Sequence, residues 1–269
     1  MDVLILGASA RAAAFSALRA GLTPACGDLY ADRDLVAACA AWRVAAGAYP
    51  EGLAAVAAAA PPGPWLYTGA LENHPELVDR IAATRPLWGV GGSALRAVRD
   101  PGAVAEVLRR AALPGPAVRS SPAGLPRDGS WLVKPLASAG GRRIRPLTPD
   151  GGGSDPPLPS RPVYYQERIV GVDLAAIFLG ASAGARLLGV TRQWIGRPGA
   201  EFGYRGSLGP YPLSDLERAR VAALGDALAA AFGLIGLFGV DLVLRDGFPW
   251  PVEVNPRYTA SVEVLERAL

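Results

Sequence analysis

The sequence predicts an α/β protein that opens with a parallel-sheet unit and closes with antiparallel strands. Three observations carry this. Residues 2–7, DVLILG, are a short apolar run that ends in glycine and leads into an alanine-rich stretch closing at Gly21, the strand–turn–helix start of an α/β unit. Ser214 with Glu217 three positions on makes a capping box for a helix over 214–232. Residues 240–244 and 251–254 are apolar strands joined through Arg245-Asp246-Gly247-Phe248, the turn chemistry of a hairpin. At 269 residues, 51% hydrophobic and 19% charged, the chain is globular and long enough for about two domains.

Taken in order, a second strand falls near residues 25–29 and places Asp28 about twenty residues after Gly7, the spacing of a dinucleotide site with an acid on the ribose. The fingerprint G-x-G-x-x-G is broken, however, since Ser9 and Ala12 stand at its second and third glycines. The unit therefore reads as a Rossmann-like scaffold, with an NAD(P)-dependent oxidoreductase as the alternative. Further strands are expected at 65–68 and 87–90, with a helix over 75–83 started by Pro75. The segment Thr68-Gly69-Ala70-Leu71-Glu72-Asn73-His74 lies at the carboxyl end of a predicted parallel strand, where open α/β sheets place their ligand loops. Glu72 and Asn73 there either face a shared cleft as substrate residues or cap the next helix.

The first domain is expected to span 1–97 and the second 98–269. An amphipathic helix over 101–112 stops before Leu113-Pro114, and a Ser/Pro/Gly-rich loop runs to Gly129. The strand 131–135 carries Lys134, and a glycine turn, Ser138-Ala139-Gly140-Gly141, follows it. Residues 149–162 are low-complexity and read as a mobile surface loop. Order resumes at 163; a strand over 174–179 should have 186–191 as antiparallel neighbour, and a last helix starts at 261.

Composition excludes several classes. A net charge of +3 without a Lys/Arg block argues against nucleic acid. No long apolar segment or leader is visible, so a cytoplasmic protein with no membrane association is expected. Cys26 and Cys39 lack metal-ligand spacing, and a single histidine, His74, rules out a histidine-cluster metal site. Among 27 basic residues Lys134 is the sole lysine, as if its compact ammonium were not replaceable by arginine.

The hairpin carries the chemistry. Asp241, Glu253 and Asn255 sit in apolar strands, where carboxylates cost free energy unless a partner or metal neutralises them. A three-residue loop, 246–248, puts Asp241 opposite Glu253 on one face with Asn255, whereas a two-residue loop puts the two acids on opposite faces. Granted the shared face, oxygen-only ligation suits Mg²⁺ held together with a nucleotide's phosphates. The bland alternative is a hairpin with a charged, solvated face.

The order of a strand-borne lysine, a Gly-Gly turn, Glu167-x-x-x-Gly171-x-Asp173 and Asp241…Glu253-Val254-Asn255-Pro256-Arg257 resembles the ATP-grasp superfamily over residues 85–269. The chain looks most like carboligase-like proteins related to biotin carboxylase, and more distantly like tyramine–glutamate ligase. The resemblance implies an α+β ATP-grasp fold with a hinge near 166–170 and a metal-binding subdomain over 171–269. It implies an ADP-forming carboxylate–amine ligase in small-molecule or cofactor biosynthesis, with ATP and Mg²⁺ (or Mn²⁺) as cofactors and a homodimer as a compatible assembly. It implies Lys134, Gly140 and Gly141 on the phosphates, and Gln166, Glu167, Arg168 and Ile169 around adenine, mainly through backbone groups. Asp173 would take the ribose, Asp241, Glu253 and Asn255 the metal, and Arg257 the transferred phosphoryl group. A second phosphate lysine usual in the superfamily is missing; Arg99 or Arg96 would replace it. Arg192, Tyr204 and Arg205 are substrate-side candidates. A non-catalytic nucleotide-binding protein is the other reading.

Overall fold

The computed structural model describes residues 1–149 and 162–268, so the low-complexity stretch expected to be a mobile loop lies almost wholly outside the described residues. Strands β1 (Val3–Leu6), β2 (Pro24–Asp28), β3 (Ala40–Arg43) and β4 (Trp65–Tyr67) form a parallel sheet in the order β3-β2-β1-β4. Helices α1 (Arg11–Arg19), α2 (Arg33–Ala38), α3 (Gly52–Ala59) and α4 (Pro75–Ala82) connect or flank it. β1 and β2 are buried along their whole length, as expected of a sheet covered on both faces. Residues 87–90 form no strand: Leu87 makes a single bridge to Trp65. Gly89, Gly91 and Gly92 give the segment little strand preference, and the chain turns off into α5 (Gly92–Val98) and α6 (Pro101–Arg110). Asp100 caps α6, accepting from the N–H groups of Gly102 and Ala103.

A small antiparallel sheet follows, in the order β5-β8-β6-β7, from β5 (Val118–Arg119), β6 (Trp131–Pro135), β7 (Arg145–Pro146) and β8 (Val163–Glu167). The larger antiparallel sheet runs β11-β10-β9-β12-β13. Its strands are β9 (Val172–Ala181), β10 (Gly184–Arg197), β11 (Ala200–Leu208), β12 (Gly236–Arg245) and β13 (Phe248–Asn255). The expected neighbour at 186–191 is the middle of the longer β10, and β11 was not anticipated as a strand. Helix α7 (Asp215–Phe232) has the capping box at Ser214 and Glu217. It packs on this sheet so closely that a Cβ at Gly225 would lie 2.2 Å from Phe178 Cε1. Phe178 in turn stacks on Phe238 at 5.0 Å between centroids. The chain closes with α8 (Ala260–Glu266).

The hairpin loop differs from the expected one. Arg245 pairs with Phe248, so the turn has two residues, and both Asp246 and Gly247 have positive φ, 52° and 73°, the conformation of a type I′ turn with its Asp-Gly preference. Such a loop was expected to put the two acids on opposite faces. A β-bulge corrects the register: Leu242 pairs with Pro251 and Asp241 with Glu253, leaving Val252 as the extra residue. The acids thus share a face, by a route that turn length alone does not reveal.

Candidate active site

The two antiparallel sheets bound a cavity of about 380 Å³. On the hairpin side, Asp241 Oδ1 accepts from Gln193 Nε2 at 2.8 Å and Oδ2 from Asn255 Nδ2 at 3.0 Å. Burial, and then the neighbouring Glu253 charge, push the Asp241 carboxyl up to about 7. Burial acts on Glu253 in the same sense, but the charges of Arg99 and Lys134 outweigh it and hold Glu253 below the usual carboxylate range. Two carboxylates side by side, one of them strained by the other's charge, form an oxygen donor set that fits a hard divalent cation. Asn255 reaches this pair with Nδ2, while its Oδ1 accepts from Arg257 Nη2 at 3.2 Å. As a ligand its amide would have to present Oδ1 instead.

Across the cavity, Lys134 is only 5% exposed. Its ammonium donates to Gln166 Oε1 at 3.0 Å and to the carbonyl of Val252, the bulge residue, at 2.8 Å. Gly140 and Gly141 both have positive φ. The flap they form is tied to β11: Tyr204 N donates to Gly140 O at 3.1 Å, and a Cβ at Gly141 would sit 1.9 Å from Phe202 O. Only glycine fits there. Of the two arginines, Arg99 is the one that reaches a cavity residue, donating to Glu253 Oε1 at 2.8 Å and to Asn73 Oδ1 at 3.1 Å. Arg96 instead pairs on the surface with Asp79 and Glu76.

Glu167, Arg168 and Ile169 line the cavity beside Leu132 and Phe202. The N–H groups of Glu167 and Arg168 donate to Ala117 O and Ser130 O, so these two backbone donors are engaged within the fold. Gln166 contributes its side chain. Arg168 pairs with Glu201 at 2.7 Å and lies 5.4 Å from the Phe202 ring centroid. Asp173 lines the same end, and burial raises its pKa against the opposing charges of Arg192 and Arg168.

Of the substrate-side candidates, Tyr204 lines the cavity and Arg192 and Arg205 do not. Gln193 and Ile195 face the cavity, so Arg192, next in the alternation, belongs to the other face. Arg205 is the exposed extra residue of a bulge in β11, between the pairs Trp194–Gly206 and Ile195–Tyr204. The lining holds the hydroxyls of Tyr204 and Ser261 instead, which Ser207 and Thr191, outside the lining, join by hydrogen bonds. Tyr204 OH meets Ser207 Oγ at 2.9 Å, Ser207 Oγ meets Ser261 Oγ at 3.1 Å, and Thr191 Oγ1 donates to Ser261 Oγ at 2.8 Å. Gln193, Thr191 and Ser261 were not anticipated, although the period-2 alternation of β10 would have put Thr191 and Gln193 on one face. Glu72 and Asn73 reach the site from the parallel-sheet unit: Glu72 pairs with Arg257 Nε at 2.8 Å, and Asn73 Nδ2 donates to Ser138 O at 3.3 Å.

The dinucleotide alternative loses its acid. Asp28 Oδ2 accepts from Ala10 N at 3.2 Å, and Oδ1 accepts from Tyr30 N at 3.0 Å and Ala31 N at 2.6 Å. Its oxygens are committed to the fold.

The sequence matches the ATP-grasp domain family over residues 98–261. The chain belongs to the ATP-grasp family. Its curated relatives include the carbamoyl phosphate synthase large chain of Beutenbergia cavernae, 29% identical over 217 residues, which are 71% of this chain and 19% of that one. The chain thus spans about a fifth of that relative's length. Among solved structures, an ATP-grasp superfamily protein from Archaeoglobus fulgidus superposes with a TM-score of 0.69 at 19% identity, covering 100% of this chain and 85% of that one. The biotin carboxylase domain of Hydrogenobacter thermophilus 2-oxoglutarate carboxylase, solved with MgADP, ADP and bicarbonate, superposes with a TM-score of 0.72 at 15% identity, covering 98% and 66%. These ATP-grasp neighbours share the fold, parallel sheet included. No described helix is long and apolar enough to cross a membrane.

Proposed function

We propose that the protein is an ATP-dependent, ADP-forming ligase of small-molecule or cofactor biosynthesis, acting on a carboxylate and an amine or similar nucleophile. The observation that carries the reading is the bulged hairpin, which sets Asp241 against Glu253 in a cavity shared with Lys134 and Arg257, with Arg99 paired to Glu253 from outside the cavity lining. On this reading residues 1–97 form the parallel-sheet domain and 98–269 the ATP-grasp domain, hinged near 166–170. Bound MgATP supplies the phosphoryl donor, and its γ-phosphorus forms a bond to the substrate carboxylate oxygen as the bond to the bridging oxygen of ADP breaks. The nucleophile then bonds to the acyl carbon, phosphate leaves, and the amine's proton passes to solvent.

The residues have distinct work. Lys134 is a point charge for phosphate oxygens, while the N–H groups of Gly140 and Gly141 approach the same phosphates from the flap. Asp241 and Glu253, with Asn255, would hold Mg²⁺, or Mn²⁺ in its place. Arg99 supplies the charge that the missing lysine leaves out. Arg257 neutralises charge on the transferring group. Asp173 is placed for the ribose, and Tyr204 with the Ser207–Ser261 hydroxyls for the substrate. The decisive experiment screens carboxylic acids for MgATP-dependent phosphate release in the presence of hydroxylamine, which captures acylphosphates as hydroxamates. Hydroxamate with one acid class supports the reading; ADP formation without hydroxamate for any acid sinks the acylphosphate route.

A further inference from the structure

Glu72 and Asn73 are neither helix caps nor cavity-wall groups. The N-cap of α4 is His74, and no side chain caps that helix. Both residues belong to one short 3-10 turn, Leu71–Asn73, at the carboxyl end of β4. Glu72 is 2% exposed, and its approach to Arg257 at 2.8 Å is out of line for a hydrogen bond, so neither carboxylate oxygen has a hydrogen-bond partner. Replacing a buried ion pair of this kind by apolar groups is often neutral or stabilising, so fold stability is a weak reason for its presence. Geometry is a stronger one.

We propose that this turn is the positioning element of the phosphoryl-transfer site, Glu72 fixing Arg257 and Asn73 fixing Arg99. The inference rests on the ligase reading above. Four further observations support it. Tyr67 OH, on the strand leading into the turn, shares its one proton between Val90 O at 2.7 Å and Pro256 O at 3.0 Å, holding the backbone one residue before Arg257. Gly69 packs against the guanidinium, 3.6 Å from Cζ to the place a Cβ would take. Ala70 adopts φ +79°, a left-handed conformation that costs a non-glycine residue free energy and is retained where surroundings over-determine it. Asn73 bridges Arg99, which is bonded to Glu253, and Ser138 O at the root of the glycine flap. One turn from outside the ATP-grasp sheets thus sets both arginines of the site and touches its flap.

The test uses equilibrium binding of two probes to the full chain: MgADP alone, and MgADP with orthovanadate as a mimic of the transferring phosphoryl group. Glu72→Gln, close in shape to the native residue, should weaken the vanadate-dependent affinity by about tenfold or more and MgADP alone by less than about threefold. Glu72→Asp should recover part of the loss. In an Arg257→Met background Glu72→Gln should have no further effect. Asn73→Ala, which frees Arg99 and the flap, should weaken both probes alike. Equal loss of both probes in Glu72→Gln, or a loss that persists beside Arg257→Met, would mark Glu72 as merely structural and overturn the proposal. So would wild-type binding of MgADP that vanadate does not enhance. Wild type that binds neither probe sinks the ligase reading and this proposal with it; Glu72→Gln indistinguishable from wild type sinks the proposal alone.

Discussion

Asp28 ends a parallel strand and Asp241 sits in the middle of an antiparallel one, and the fold treats the two acids in opposite ways. Asp28, nearly inaccessible, is surrounded by three backbone N–H donors from two loops. Asp241 receives two side-chain amides and faces a second carboxylate; burial first, and then the Glu253 charge, push its pKa up to about 7. An acid whose oxygens are taken up by backbone donors is part of the architecture. An acid left short of positive charge beside a cavity is waiting for a ligand to supply it.

The comparison can be broken most directly by removing each acid. Glu253→Ala or Asp241→Ala should lower MgATP-dependent turnover by roughly a thousandfold, with the fold retained by circular dichroism. Asp28→Ala should leave MgADP affinity unchanged while lowering stability in urea by about 1.5–3 kcal/mol, the worth of a hydrogen bond to a charged group. A nucleotide-binding defect in Asp28→Ala would revive the dinucleotide reading. Next in size, Lys134→Arg should cost about a hundredfold in kcat/KM, since a planar fork cannot take the place of a compact ammonium between Gln166 Oε1 and Val252 O.

A pH series sharpens the contrast further. The folded Asp241 pKa, about 7, lies above its ordinary 3.8. Folding therefore favours the protonated form, and the associated stabilisation is full below 3.8 and is lost as pH rises through about 7. Mg²⁺ should reverse that loss. Thermal melting should show a larger Mg²⁺-induced rise at pH 8 than at pH 6, and Mg²⁺ affinity should fall up to about tenfold per unit below pH 7. A Mg²⁺ effect independent of pH would remove Asp241 from the metal set. The smallest effects belong to Arg192→Ala and Arg205→Ala, which lie off the cavity wall and should change KM for the carboxylate by less than about threefold.

Local pattern was enough for the elements that local chemistry dictates. The capping box at Ser214 and the strand at Trp131–Pro135 each follow from neighbouring residues, as does the presence of a turn at Asp246-Gly247, though not its two-residue length. The lone lysine also drew notice on composition alone. What could not be read depends on contacts between distant elements. The bulge at Val252 has no local marker, yet it decides whether Asp241 and Glu253 meet. Gln193 became visible only when β10 was seen to lie beside β12's partner strand, and the pairing of Glu72 with Arg257 spans the parallel sheet and the hairpin. Arg192 and Arg205 attracted attention through their charge, whereas β10 and β11 give the cavity Gln193, Ile195, Phe202 and Tyr204.

The Val252 carbonyl, released from the ladder by the bulge, is an acceptor for Lys134. Arg99 rests likewise on Glu253, and Arg257 against Glu72. The cleft is thus closer to an ion exchanger than to an open electropositive funnel. An arriving ligand has to trade partners: its anionic groups must relieve the cations while a metal ion takes over the carboxylate that Arg99 releases. Inorganic phosphate alone makes only half of that trade. On the proposed ligase reading, a polyphosphate chelating a divalent ion would make all of it in one step, and the pairing of these cations predicts selectivity for the metal–nucleotide complex over its fragments.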